Sequence, residues 1–485
     1  MAEKMLERKR LEPGRALASS EAVWESRNLR LLEEYILIPN KSPHFDPDWK
    51  QSGHMDRAVD LYVNWATDRQ KTIPGLSVEL LEIPGKTPLI YLEIPGTLPK
   101  GEGTEKNILL YGHLDKQPEF TGWKEGLDPW KPVRRGNRLY GRGGADDGYA
   151  MPAALTAYEL LAEQGIPYAN ARIIIEASEE SGSPDLPDYL KMLAPRIGTP
   201  DMVICLDSGA GDYKRLWNTT SLRGLVAGTL EVKILENGVH SGYGSGIAAD
   251  PHRIAGNLLS RIQNPETGEV TLPALHSDIP PERIKEAKQT AELLGDEIAA
   301  SLPFVEGARP MNEDPTELLL NRTWRPAITV IGADGLPSVE TAGNTLAPGV
   351  DWRLSTRIPA GVDAKEASLA MKEALEKDPP NGAHVKFNAS GSEGWNAPKS
   401  EPWLEESLNT ASQNYFGNPS AGEGQGGSIP FMKMLGDQFP QAQFLVTGVL
   451  GPESNAHGPN EFLEIDFVKK LNAAVAQVIS DHAAS

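Results

Sequence analysis

Cysteine is almost absent. Cys205 is the single one among 485 residues, which excludes an intramolecular disulfide and any thiolate-ligated zinc site. It lies in the apolar run Met202-Val203-Ile204-Cys205-Leu206, the setting of a small buried strand residue rather than of a nucleophile. Positive charge is scarce as well: 47 Lys and Arg stand against 67 Asp and Glu, a formal net charge of -20. That deficit disfavours nucleic acid and anionic membrane as partners, because both are bound through concentrated positive charge. Long apolar runs are missing too, and no stretch approaches the roughly 20 residues of a membrane span. The opening MAEKMLERKRLEPG alternates charge without an apolar core, unlike a secretory signal, so a cytoplasmic location is expected.

What remains is the make-up of a folded protein, 39% hydrophobic and 24% charged. The length exceeds what one hydrophobic core serves, so two domains are expected. In the first half, residues 108–111, 172–177 and 202–206 read as buried strands. Met151, Ala154, Leu155, Tyr158 and Leu161 recur at helical spacing, with Gly165 as the cap. Strands separated by helices imply an α/β fold with a mostly parallel sheet covered by helices. Near Gly224 the pattern changes. Strand 225–234, helix 252–263, strands 327–332 and 349–357, helix 363–377 and strand 384–389 give the order βαββαβ of a ferredoxin-like α+β domain, with a helical insertion at 280–302. After the turn-rich 390–399 the α/β pattern resumes with helix 402–416, a helix opening near Ser428, strand 442–449 and a last helix at 466–482. The expected organisation is one catalytic domain, 1–222 and 395–485, interrupted by a second domain at 223–394.

Polar residues that close apolar strands carry the chemistry, because ligands of open α/β sheets gather at the carboxyl ends of strands. His113 and Asp115 follow the strand at 108–111. Glu179 and Glu180 follow 172–177, and Asp207 follows 202–206. His457 comes shortly after 442–449, and Asp146 with Asp147 sits in a glycine-rich loop ahead of a helix. Singly, each has an ordinary explanation: a lone His after a strand is more often hydrogen-bonded than metal-bound, and paired acids usually mark a solvated turn. Together they crowd carboxylates onto one rim, where repulsion calls for cations. Two His and several carboxylates suit Zn²⁺ and, less well, Mn²⁺ or Co²⁺, and are too rich in nitrogen for Ca²⁺. Two such ions would lower the pKa of a shared water and polarise a carbonyl, while one carboxylate of the Glu179–Glu180 pair takes the proton. Which of the two is base and which is ligand the residues alone leave open.

GHLD at 112–115, YGRGGADD at 140–147, EASEESGS at 176–183, VICLD at 203–207, VHSG at 239–242 and GGSIP at 426–430 form an ordered set. In order and spacing the set resembles the metallopeptidase family that includes carnosinase, aminoacylase, glutamate carboxypeptidase and succinyl-diaminopimelate desuccinylase. The resemblance runs from about residue 25 to the C-terminus and is strongest to the carnosinase-like branch. It implies two Zn²⁺ per subunit, one held by His113 and Asp207, the other by Glu180 and His457, with Asp146 bridging them. It makes Glu179 the general base and has Asp115 hydrogen-bond the outer nitrogen of His113. A cis peptide joining Asp146 to Asp147 is a further implication. So is a homodimer built through the 223–394 lid domain, in which His240 reaches the partner's active site and steadies the oxyanion. Thr345 and Arg357 resemble the branch's pair for a substrate carboxylate, which the fork of Arg matches bidentately. Ser428 opens a helix whose amides suit an anion, with a plain N-cap as the alternative.

The last motif departs from the branch. Carnosinase-like enzymes read Arg-Glu-Gly-Gly-Ser-Ile-Pro, whereas this chain has Gly424-Gln425-Gly426-Gly427-Ser428-Ile429-Pro430. Gln425 thus stands where the branch has a glutamate facing the substrate amine. The expected activity is hydrolysis of dipeptides or related amino-acid amides. An amidase for N-acyl, N-carbamoyl or otherwise capped amino acids is the alternative, and a non-catalytic binding protein is a third reading that the intact base and ligands count against.

Overall fold

Residues 9–99, 103 and 105–485 are described in a computed structural model of the chain; residues 1–8 of the charged opening stretch lie outside the described residues. Four apolar runs build the centre of the first unit. Asn107–His113, Asn170–Glu176, Met202–Cys205 and Gln443–Val446 are parallel neighbours, with Ile108 opposite both Ala171 and Met202 and with Val446 opposite Cys205. They are buried almost throughout, which is why they read as continuous apolar runs rather than as alternating ones. Fully burying each isoleucine of Ile173, Ile174 and Ile175 contributes roughly 1.5–3 kcal/mol. An antiparallel hairpin, Ser77–Leu81 with Leu89–Ile94, completes one edge of the six-stranded sheet. The sheet is thus mostly parallel, as the alternation of strand and helix predicts.

Helix Ala150–Gln164 is buried nearly all round and ends at Gly165, whose φ of +63° supplies the left-handed cap. It approaches the end of strand Asn107–His113 closely because position 112 carries no side chain: a Cβ there would lie 2.5 Å from that of Ala150. Helices Pro402–Phe416 and Ile465–Ala484 pack together, and Ile465–Ala484 also packs on Ala150–Gln164. Helices Pro13–Val23, Leu29–Ile36, His54–Asp68 and Leu186–Ile197 add elements that the sequence pattern does not announce.

The chain divides into two compact units. One runs to Thr220 and resumes over Ala397–Glu423 and Met434–Ser485; the other comprises Ser221–Asn396 with Gly424–Lys433. The short segment 424–433, part of the resumed α/β stretch in the linear reading, clusters with the second unit. That unit has a four-stranded antiparallel sheet in the order Ala327–Asp334, Gly349–Ile358, Gly224–Lys233, His384–Ser392. With helices Pro251–Leu259 and Ala364–Glu376 this is the βαββαβ arrangement. Strand Gly224–Lys233 alternates buried and half-buried residues, and Val226, Leu230 and Val232 face a core shared with Ile254, Leu258 and Met371. Asp250 and Asp363 cap the two helices with their carboxylates. The insertion forms helices Pro281–Leu294 and Glu297–Ala300, followed by Pro315–Thr323, which has no counterpart in the sequence reading.

Candidate active site

The parallel strands deliver their polar end residues to one place. His113 ends Asn107–His113, Asp207 follows Met202–Cys205, and Glu179 and Glu180 form the short turn after Asn170–Glu176. Asp146 lies in the loop before helix Ala150–Gln164, and its peptide to Asp147 is cis. His113 Nε2 is 3.2 Å from Asp146 Oδ1 and 3.6 Å from Asp207 Oδ1. His457 Nε2 is 3.0 Å from Asp146 Oδ2 and 3.3 Å from Glu180 Oε2. Two groups with metal-ligand geometry result, His113–Asp146–Asp207 and Asp146–Glu180–His457. Asp146 belongs to both and turns one carboxylate oxygen to each.

Asp115 meets more than His113. Its carboxylate accepts the N–H groups of Glu179 and Glu180, at 3.1 and 3.0 Å. The atom nearest His113 Nδ1 is the Asp115 main-chain oxygen at 3.2 Å, with the carboxylate at 3.5 Å. Asp115 therefore orients the histidine and the two glutamates together. Gln117, which carries no motif signal, donates from Nε2 to Glu180 Oε2 at 2.6 Å. Asp147 accepts the His113 N–H at 3.1 Å, and its buried Oδ1 has no partner among the described residues.

The electrostatics are those of negative charge without enough compensation. Burial, and then the Asp207 charge, push Glu179 and Asp147 well above the usual carboxylate range. Burial and the Asp146 charge do the same to Glu180, and burial raises Asp207. Burial would depress His113, yet Asp207, Asp115 and Asp146 hold it well above the histidine norm. Burial also works against ionised Asp146, but His113 and His457 keep it below the usual carboxylate range. Divalent cations answer this deficit, and the oxygen and imidazole donors suit them. The residues fit the group that the resemblance implies.

Within the second unit, His240 pairs in register with Thr345, and its exposed ring accepts the Gly242 N–H at Nδ1, 3.1 Å away. Arg357 sits near the end of strand Gly349–Ile358 and donates from Nη1 to Ser428 Oγ at 3.4 Å. Burial lowers the Arg357 pKa. Ser428 lies just ahead of helix Pro430–Gln438. Gln425 ends strand Ala421–Gln425, and its main-chain oxygen accepts the Arg223 N–H. Arg223, another residue without a motif signal, also holds the Gly426 carbonyl at 3.2 Å.

The model of peptidase family M20/M25/M40 matches residues 109–481, which include all five candidate ligands. The chain belongs to that family. It is thus a metallopeptidase, and the non-catalytic reading falls away. This M20 chain is 29% identical over 382 residues to the cysteinylglycine-S-conjugate dipeptidase of Corynebacterium striatum, covering 78% of this chain and 81% of that protein. It is 28% identical to the Beta-Ala-His dipeptidase of Rattus norvegicus over 60% of this chain and 58% of that one. Among solved structures, the di-peptidase Dug1p of Saccharomyces cerevisiae shares the fold with a TM-score of 0.77 at 18% identity, over 98% of this chain and 100% of that one.

Beneath the M20 ligands lies a buried polar layer. Arg142 and Glu461 pair at 2.6 Å with side chains 1% and 0% exposed. Lys116 is also fully buried; its Nζ donates to the carbonyls of Tyr35 and Ile38, at 2.8 Å each, and lies over the Tyr35 ring. His457, by contrast, has a side chain 55% exposed and a φ of +64°. A non-glycine residue held there costs on the order of 1–3 kcal/mol and persists only where its surroundings fix it.

Proposed function

We propose that this M20 peptidase is a dinuclear zinc dipeptidase, cleaving the amide bond of dipeptides that carry a free amine and a free carboxylate. The observation that carries the reading is the pair of ligand groups sharing Asp146. His113 and Asp207 would hold one cation, Glu180 and His457 the other, and Asp146 would serve both; Mn²⁺ or Co²⁺ are the substitutes the donors allow. When bound, the two cations lower the pKa of the attacking water and polarise the scissile carbonyl. Glu179 takes the proton of that water and delivers it to the leaving amine. Asp115 fixes Glu179 and Glu180 through their main-chain N–H groups, so base and ligand keep their separate directions. His240 stabilises the oxyanion in the active site of the partner subunit, and Arg357 and Ser428, with Thr345, bind the substrate carboxylate.

The relatives named as dipeptidases support a dipeptide substrate. The capped-amine alternative rests on Gln425 alone. Glu423, two residues earlier in the same strand and on the same strand face, swings in to supply the carboxylate for the substrate amine in this reading. Supporting a homodimer, edge strand Ala327–Asp334 and the turn after it expose Ile331 at 60%, Leu336 at 58% and Val339 at 90%. No helix among the described residues is long and apolar enough to cross a membrane, and we place the enzyme in the cytoplasm. Comparison of kcat/KM for a dipeptide and its N-acetyl form tests the substrate. The zinc-loaded wild type is expected to prefer the free amine, and Glu423→Ala to lose that preference. A wild type that prefers the N-acetyl form, with Gln425→Glu reversing it, would establish the capped-substrate reading instead.

A further inference from the structure

We propose that Arg142 and Glu461 are a positioning pair that fixes the spacing of Asp146 and His457, and so sets the affinity for the cation that these two share with Glu180. The inference rests on the two-cation reading above. Its basis is a reciprocal grip. Glu461 belongs to the segment that follows His457, yet its Oε1 accepts the N–H groups of Gly143, Ala145 and Asp146 at 3.0, 3.3 and 3.2 Å. Arg142 belongs to the segment that precedes Asp146, yet its Nη2 donates to the carbonyls of His457 and Gly458 at 3.1 and 2.7 Å. Its Nε donates to the Pro118 carbonyl at 3.0 Å, which ties in the segment that follows His113 and Asp115. The two side chains close on each other through Nη1 and Oε2. Each loop thus sends one side chain to hold the main chain of the other, and two of the bonds end on the candidate ligands themselves.

Lys116 supplies a third fixed point. A Cβ on Gly143, whose φ is +85°, would lie 2.5 Å from the Lys116 Cε, so the Gly141–Asp147 loop rests directly on a lysine stem anchored at both ends. His457 gains most from the arrangement. Its side chain is more than half exposed, so its placement comes through its main chain, and the bonds from Arg142 hold that main chain in its left-handed conformation. The charge types are specific to the task. The planar fork of Arg reaches four acceptors in three directions, which a lysine ammonium does not reproduce. Loss of either charge leaves the other buried and uncompensated.

The experiment strips the protein of metal and measures Zn²⁺ binding by chelator competition in wild type, Arg142→Lys and Glu461→Gln, alongside kcat and KM at rising free Zn²⁺. Arg142→Lys keeps the charge but not the fork, and Glu461→Gln keeps an acceptor for the loop amides but not the charge, so either serves should the other fail to fold. The expected result is one ion bound with wild-type affinity and the other weakened roughly 10–100-fold. KM is expected to stay unchanged, and kcat to recover as free Zn²⁺ rises. Lost activity that added Zn²⁺ does not restore, with both affinities at wild-type values, would reduce the pair to a structural ion pair and overturn the proposal. A wild type that does not bind two ions would instead remove the reading on which it rests, and the proposal with it.

Discussion

At Glu179 and Glu180 two chemically identical neighbours diverge because one main-chain anchor, the Asp115 carboxylate, holds both N–H groups while only Glu180 reaches His457. Glu179→Gln keeps size and hydrogen bonding but accepts no proton. Two metal ions per chain are expected to remain bound while kcat falls by roughly 10²–10⁴. Loss of metal in that variant, with metal kept in Glu180→Gln, would swap the two roles. Glu176, three residues earlier, has a separate signature. Burial, only partly offset by the hydroxyls of Tyr111 and Ser183, pushes its pKa from 4.5 up to about 7. The folded state therefore binds this proton more tightly than the unfolded chain. The resulting stability is complete below pH 4.5 and lost as pH rises to 7, with a ceiling of roughly 3 kcal/mol. Glu176→Gln should be near neutral in Tm at pH 5 and stabilising at pH 8; equal effects at both pH values would show that Glu176 titrates normally. The candidate ligands were legible in the sequence because each closes an apolar strand or stands in a glycine-rich or motif-bearing loop. The partners of Gln117, Arg142 and Glu461 were not: even for Arg142, which stands in the glycine-rich loop itself, residue type gives no sign of the carboxylate or main chain that it meets some 60 to 320 residues away.

Among the elements, legibility followed burial. The parallel strands read clearly because both faces are covered, and Ala150–Gln164 because Gly165 marks its end. The Ser77–Leu81 strand is mostly half-buried, and the N-terminal helices mix charge into short apolar patterns, so neither stands out from its surroundings. Edge strand Ala327–Asp334 was placed correctly in order, but its exposure is visible only in the structure. A bulge between Val330 and Gly332 leaves Ile331 largely exposed beside Leu336 and Val339. If this edge is the dimer face, Ile331→Lys combined with Val339→Asp should give a monomer in sedimentation, because buried unpaired charges are costly. A dimer that survives both substitutions would move the interface elsewhere.

For the molecule as a whole, the change from α/β to βαββαβ patterning near Gly224 and the return to α/β after the turn-rich 390–399 were open to the sequence, because strand and helix order survive without any tertiary information. The excursion of 424–433 to the second unit was not, since its glycine-rich run has no periodicity to assign it to either side. The discontinuity also has a consequence in time. Strand Gln443–Val446, which pairs with Met202–Cys205, and the buried helix Ile465–Ala484 leave the ribosome only after the entire second unit. At roughly 5–20 residues per second that is a delay on the order of ten to fifty seconds. Throughout it the nascent first unit carries an open, wholly apolar strand edge, while the second unit, contiguous apart from ten residues, is free to fold ahead of the domain that encloses it in sequence.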